Sequence, residues 1–232
     1  MTAHNPFDTP PRLHDISQDI VGIKLEPVVA LTSQRRVGVE VLSVLSDTCY
    51  SEDFFRHQPA GWSMTLLEAQ LAALKNTPHG HNLFINLPIT VLTEPASFQR
   101  LIKLKNTPLN IEIVDPPVFL TFSAAQKQSA IQNMRTLRQQ GHSIWLDDID
   151  EIIIQPFLFC RLPLSGIKID KDAFWRLRAT PALRQLVSRC FQLAGSVLIE
   201  GIETERDRTW ALQAGADFGQ GYYWPSWTWP ED

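Results

Sequence analysis

Nearly every apolar, strand-like segment of this sequence is interrupted or ended by a charged or amide side chain, and that recurrence constrains the fold more than any other feature. The sharpest instance is Gly141-His-Ser-Ile-Trp-Leu-Asp-Asp-Ile-Asp150, where Ile144, Trp145 and Leu146 run directly into Asp147 and Asp148. A segment apolar at successive positions suits a strand covered on both faces, as in a parallel sheet wrapped by helices. Ligand-binding groups in such sheets gather at the carboxyl ends of the strands. An Asp pair also suits a surface turn, so the choice rests on the other segments.

Seven further segments repeat the pattern. Ile20–Ala30 reads as a strand that Pro27 restricts to an edge, a bulge or a strand start. Arg35–Leu45 carries Glu40 among apolar residues, where a lone carboxylate is costly unless paired or metal-bound. Asn82–Pro88 has Asn86 near its end, and Leu109–Pro116 contains Glu112, with Asp115 where Pro116 stops it. Leu162–Asp170 sets Lys168 between two isoleucines, Gly195–Glu203 holds Glu200 and Glu203, and Ala216–Gly221 holds Gln220. Between them lie helical sequences at Met64–Lys75, Glu94–Lys105, Ser123–Gln140, Asp172–Leu193 (interrupted near Pro181) and Glu205–Gln213, while Tyr50–Pro59 reads as a loop. The alternation predicts an α/β fold, a (β/α)8 TIM-like barrel over residues 20–232 after an N-terminal arm at 1–19; a doubly wound open sheet is the alternative.

The 232 residues suit a single barrel domain. A net charge of −4 argues against broad nucleic-acid binding, which needs a basic face. No apolar run approaches the ~18 residues of a membrane span, and Met1–Asp19 lacks the regions of a signal peptide. Cys49, Cys160 and Cys190 are odd in number, far apart and without metal-type spacing, which points to reduced packing residues and a cytoplasmic location.

In a barrel, Glu40, Asn86, Glu112, Asp147, Asp148, Lys168, Glu200, Glu203 and Gln220 would converge on one mouth. Several carboxylates cannot share a pocket as bare anions, and divalent cations resolve the conflict. Oxygen ligands with one amide suit Mg²⁺ or Mn²⁺ better than Zn²⁺. A bridging carboxylate such as Asp147 can hold two such ions ~4 Å apart, the arrangement that activates water and neutralises a phosphate in phosphodiester cleavage. Lys168 then faces that water or the phosphate. Taken singly, Glu200 and Glu203 also read as solvated loop acids, Asn86 as a turn former and Lys168 as a surface lysine.

At these residues the sequence resembles the EAL-domain family, bacterial phosphodiesterases that linearise cyclic di-GMP. Val39-Glu-Val-Leu42 stands at the E-A-L signature, Phe84-Ile-Asn-Leu87 at V-N-L, and Asn110-Ile-Glu-Ile-Val-Asp115 at E-x-T-E. Leu146-Asp-Asp148 matches the start of D-D-F-G, Ile167-Lys-Ile-Asp170 matches K-x-D, Ile199-Glu-Gly-Ile-Glu-Thr204 matches E-G-V-E-T, and Gln220-Gly-Tyr-Tyr223 matches Q-G-Y. The resemblance implies a barrel with one antiparallel strand and metal ligands at Glu40, Asn86, Glu112, Asp147 and Asp148. Glu203 and Gln220 would complete the shell directly or through water, Leu42 and Gln220 would lie on the substrate side, and Asp115 would support the loop. Glu200 becomes the general base, with Lys168 orienting the water, and cyclic di-GMP the small-molecule partner; a homodimer and a regulatory protein partner are compatible with it.

Three departures bear on activity. The arginine that usually follows the signature glutamate by four residues, and contacts substrate phosphate, is Val44; the glutamine of the early Q-P motif is Glu26. The F-G-T-G loop after the paired acids is replaced by Ile149-Asp-Glu-Ile-Ile153, with Asp115 as the shortened partner acid. Glycine permits backbone angles that Ile and Glu resist, so this loop is expected to weaken preorganisation, and restoring Phe-Gly-Thr-Gly to raise activity. The alternative function is therefore a catalytically weak or inactive member acting as a cyclic di-GMP receptor or by protein contact. The aromatic run Tyr222–Pro230 reads either as packing on the barrel or as a docking patch for a partner.

Overall fold

The computed structural model describes residues 12–46, 54–55, 58–75, 77, 82–104 and 108–229. Most of the N-terminal arm, most of the loop expected at Tyr50–Pro59, and Cys49 lie outside the described residues. A short helix, α1 (Leu13–Ile16), lies against β1 (Ile20–Ala30), which turns into β2 (Arg36–Leu45). Then follow α2 (Ala60–Leu74), β3 (Leu83–Leu87), a 3₁₀ turn (Ile89–Leu92), α3 (Pro95–Leu101), β4 (Asn110–Ile113), α4 (Pro116–Thr121) and α5 (Ala124–Gln139). The chain continues through β5 (Ser143–Ile149), α6 (Ile154–Phe157), β6 (Gly166–Ile169), α7 (Lys171–Leu177), α8 (Pro181–Leu193), β7 (Ser196–Ile199) and α9 (Glu205–Ala214). It ends in β8 (Phe218–Gly219) and β9 (Trp227–Trp229).

Strands β2 to β8 pair in chain order and in parallel, and β1 closes the circuit by pairing antiparallel with both β8 and β2. The fold is thus a closed eight-stranded mixed barrel with one added strand, not an open doubly wound sheet. β1 must run antiparallel to β2 because only Leu31–Arg35 separates them, room for a tight turn but not for a crossover. Pro27 sits inside β1, opposite Val39 and next to the bulge between Val28 and Val29, in keeping with the edge or bulge position expected of it. It is tolerated because the other edge of β1 pairs with β8 at Val29–Ala30 and with β9 at Ile23–Leu25, leaving Pro27 between the two. The expected break near Pro181 splits that helical stretch into α7 and α8, with Thr180 accepting from the Ala182 N–H as the cap of α8.

β9 arises from the C-terminal aromatic run, whose Tyr223, Trp224 and Trp227 pack against the main core, as the packing reading expected. That core fills the space between the strands' outward side chains and the helices.

The lower inward side chains stack in two layers, since alternate residues of a strand face the same way. The floor is Val28, Phe84, Trp145 and Leu198, a separate buried cluster with Phe218 against it. The Phe84 and Trp145 ring centroids are 5.3 Å apart. Gly38 and Gly166 make room for them, since a Cβ at Gly166 would lie 2.2 Å from the Trp145 ring and one at Gly38 2.7 Å from that of Phe84. Gly166→Ala is therefore expected to destabilise by about 1–3 kcal/mol, the range for overpacking; chemical denaturation should show a lower midpoint at unchanged slope. Two residues along each strand from the floor, on its mouth side, comes the second layer, where the polar residues collect.

Candidate active site

The second layer is Glu26, Glu40, Asn86, Glu112, Asp147, Lys168, Glu200 and Gln220, one inward position from each barrel strand or its immediate end. At its centre Lys168, with a side chain only 1% exposed, reaches Glu40 at 3.1 Å, Glu112 at 3.2 Å, Asp147 at 3.2 Å and Glu200 at 2.8 Å. The sequence sets Lys168 towards the activated water or the phosphate; within the protein its ammonium is also an internal counter-ion, since acids converging from different strands need a cation among them.

Asn86 donates from Nδ2 to Glu40 Oε1 at 2.8 Å, and Gln220 donates from Nε2 to Glu40 Oε2 at 2.6 Å and to Glu26 Oε2 at 3.3 Å. Both amides thereby turn a carbonyl oxygen away from Glu40. Asn86 Oδ1 and Gln220 Oε1 are buried without a hydrogen bond, as are both carboxylate oxygens of Glu112, of which Oε1 has only its ion pair with Lys168. Buried oxygens without donors are uncommon, and such a set fits a hard cation, which accepts lone pairs and needs no hydrogen.

Among the described residues, two groups of carboxylates bring oxygens within 4.8 Å of one another: Glu40, Glu112 and Asp147, and Asp147, Asp148 and Glu200. Asp147 belongs to both. Adjacent strand residues normally point to opposite faces, yet Asp147 and Asp148 both contribute because β5 bulges there. The register with β6 slips between Leu146 and Ile149, and Asp148 has φ 51°. Aspartate tolerates this left-handed conformation better than most residues.

The remaining expected residues are placed as follows. Glu203 is exposed, outside both groups, with its N–H donating to Asp207 Oδ2. Leu42 is half-buried, one inward position above Glu40 and opposite Lys24. Asp115 accepts from the Ile89 N–H at 2.8 Å and so steadies the chain leaving β3; among the described residues it has no hydrogen bond to 149–153. Glu26, read from the sequence only as a departure, joins the acid layer opposite Glu40. Its signal was the two-residue alternation Lys24, Glu26, Val28.

The altered loop is better built than its sequence suggested. Asp150 Oδ1 accepts from the N–H groups of Ile152 at 2.8 Å and Ile153 at 2.6 Å, an Asx turn. Glu151 takes two hydrogen bonds from Arg176 Nη2. Among non-glycine residues here the positive φ falls on Asp148, and none falls within 149–153. Glycines there would relieve no strain and would remove the Asx turn and the ion pair, so the Phe-Gly-Thr-Gly substitution is expected to lower the melting temperature.

Burial, then the repulsion of Asp147, pushes Asp148 up to about 7. Burial also lifts Glu200 to about 8 against the pull of Lys168, and Glu112, next to Glu40, is raised well above the usual carboxylate range. Burial acts on Glu40 as well, but Lys168, Asn86 and Gln220 outweigh it and hold this carboxyl low. Burial would depress Lys168, but Asp147 and the other acids overcome it and keep the amine charged. Raised carboxyl values mean that the folded protein binds more protons than the unfolded chain, so stability falls as pH rises. The window runs from the ordinary carboxylate range up to about 8. The metal-free protein should accordingly melt at a lower temperature at pH 8 than at pH 5.5, with a shallower slope in Glu200→Gln; a melting temperature rising over that interval would contradict it.

Comparison with known proteins agrees with this architecture. The chain is 27% identical over 229 residues to the probable cyclic di-GMP phosphodiesterase PdeB of Escherichia coli, covering 91% of this chain but 43% of that protein. It therefore spans less than half the length of this relative. An EAL domain protein from Listeria monocytogenes superposes with a TM-score of 0.71 at 19% identity, over 92% of this chain and 91% of that one. The manganese and cyclic di-GMP complex of BlrP1 from Klebsiella pneumoniae gives a TM-score of 0.71 at 21% identity, over 95% of this chain and 58% of that one. The EAL domain model matches residues 13–226, a span that takes in all eight barrel strands and the whole acid layer, and the chain belongs to the EAL domain family.

Proposed function

We propose that this chain hydrolyses cyclic di-GMP to the linear dinucleotide, using two Mg²⁺ or Mn²⁺ ions held between the groups that share Asp147. The observation that carries the reading is this sharing: one buried carboxylate common to two clusters, beside orphaned oxygens of Asn86, Glu112 and Gln220. Glu40, Asn86, Glu112 and Asp147 would hold one ion, and Asp147, Asp148 and Glu200 would face the other. When bound, such ions lower the pKa of a coordinated water and neutralise the phosphodiester charge. The naming of PdeB as a probable cyclic di-GMP phosphodiesterase and the manganese and cyclic di-GMP bound to BlrP1 support the substrate and the ion class.

The chain's own residues supply position and proton transfer. Glu200, one-fifth exposed and 2.8 Å from Lys168, takes the proton from the attacking water, with Lys168 fixing the carboxylate's orientation. Lys168 also cancels part of the acid layer's charge, which lets an anionic substrate approach. Glu203, exposed on the rim and outside both carboxylate groups, would reach an ion only through water. Single-turnover incubation of protein in excess over cyclic di-GMP, with Mn²⁺, tests the reading. Linear dinucleotide as first product supports it; nucleotide bound but recovered intact would instead select the receptor alternative.

A further inference from the structure

We infer that Lys24 on β1 is a substrate-positioning residue, an ammonium that pairs with a phosphodiester oxygen of the bound dinucleotide and that Glu26 restrains until the ligand arrives. This rests on the cyclic dinucleotide reading of the site. The registry of β1 and β2 sets Glu26 against Glu40, Lys24 against Leu42 and Gly22 against Val44. Alternation puts all six on the inward face, with the Lys24 and Gly22 pairs above the acid layer towards the mouth. Of the four residues in those two upper pairs, Lys24 alone is charged.

Lys168 cannot serve the same end, because its side chain is 1% exposed and four carboxylates surround it below that level. The Lys24 side chain is 32% exposed and, among the described residues, touches Glu26 and Tyr222. Its Nζ lies 2.5 Å from Glu26 Oε1 and 5.5 Å from the centre of the Tyr222 ring, which belongs to a residue 78% exposed in the turn after β8. Glu26 is itself linked through Gln220 to Glu40. The ammonium therefore stands at the rim, tied at its base to the acid layer and open on its outer side. A ligand bearing negative charge above carboxylates needs such a cation, and an ammonium pairs with phosphate oxygens as a point charge.

Equilibrium binding of cyclic di-GMP in Mn²⁺ tests this in a Glu200→Gln background, where turnover is suppressed. Lys24→Met should weaken binding about tenfold, in the range of one charge-assisted hydrogen bond, and flatten its dependence on ionic strength. Lys24→Arg should restore most of it. Glu26→Gln should tighten binding by releasing the ammonium, and the Lys24→Met, Glu26→Gln double variant should bind weakly. Equal affinities with and without Lys24 would overturn the inference and leave the site reading standing. Recovery of tight binding in the double variant would also overturn it, since Lys24 would then serve only to neutralise Glu26. No binding with the native Lys24 and Glu26 in place would remove the cyclic dinucleotide reading and the inference together.

Discussion

The Glu200→Gln protein is expected to bind cyclic di-GMP as the unaltered chain does and to hydrolyse it about 10²–10⁴ times more slowly, the contribution of a positioned general base. Binding should survive because the amide keeps an oxygen towards the ion that Asp147 and Asp148 would face, and the side chain, one-fifth exposed, lies where water can solvate its NH₂ group. The rate should fall because the amide accepts no proton. A loss confined to kcat marks an interaction made in the transition state, whereas a rise in KM alone would assign Glu200 to substrate binding. Lys168→Met is a blunter probe. It removes a cation that lies within 3.2 Å of four carboxylates, and uncovering a buried charge typically costs about 3–5 kcal/mol. Loss of activity there would come with loss of stability, and calorimetry should show both.

Millimolar Mg²⁺ or Mn²⁺ is expected to raise the melting temperature of the chelator-treated protein by about 5–10 °C. At a free ion concentration of 100 Kd the gain is about 2.7 kcal/mol, and each kcal/mol moves the midpoint of a domain this size by about 2–4 °C. Asp147→Asn should abolish the gain, because both carboxylate groups use that residue; Glu40→Gln should remove part of it, since Glu40 belongs to one group. The gain should be larger at pH 8 than at pH 5.5, because protons compete for Asp148 and Glu200, which are raised to about 7 and about 8. A midpoint indifferent to both ions at pH 8 would remove the metal centre from the account.

Much of this architecture was legible because the signals were local. Apolar runs between helix-like stretches gave the barrel, and polar residues set at inward positions near the strand ends marked its mouth. The residues that depend on pairing were harder to place. Lys168 reads in sequence as a lysine between isoleucines, and its role as a buried counter-ion emerges only when β2, β4, β5 and β7 deliver their acids around it. The bulge that turns Asp148 inward is a register slip against β6, a long-range property with no local mark beyond the Asp pair. β9 has no local mark because tryptophan-rich sequence signals burial as strongly as pairing, and its pairing with β1 at Ile23–Leu25 is a long-range contact on the edge that also pairs with β8. The loop at 149–153 is hard to read from residue identity, because the positive φ that glycine favours falls on Asp148, just before it. Glu203 shares its sequence context with Glu200 but lies beyond the end of β7, where the chain turns out to the rim.

Whether the acid layer around Lys168 is a divalent-metal phosphodiesterase site is read from the initial rate of cyclic di-GMP linearisation across a Mn²⁺ titration at pH 8. No turnover is expected in chelator, the rate should climb steeply and saturate as both groups sharing Asp147 fill, and Asp147→Asn should lose that response. Turnover that persists in chelator, or a rate of zero at every Mn²⁺ concentration, would contradict that assignment.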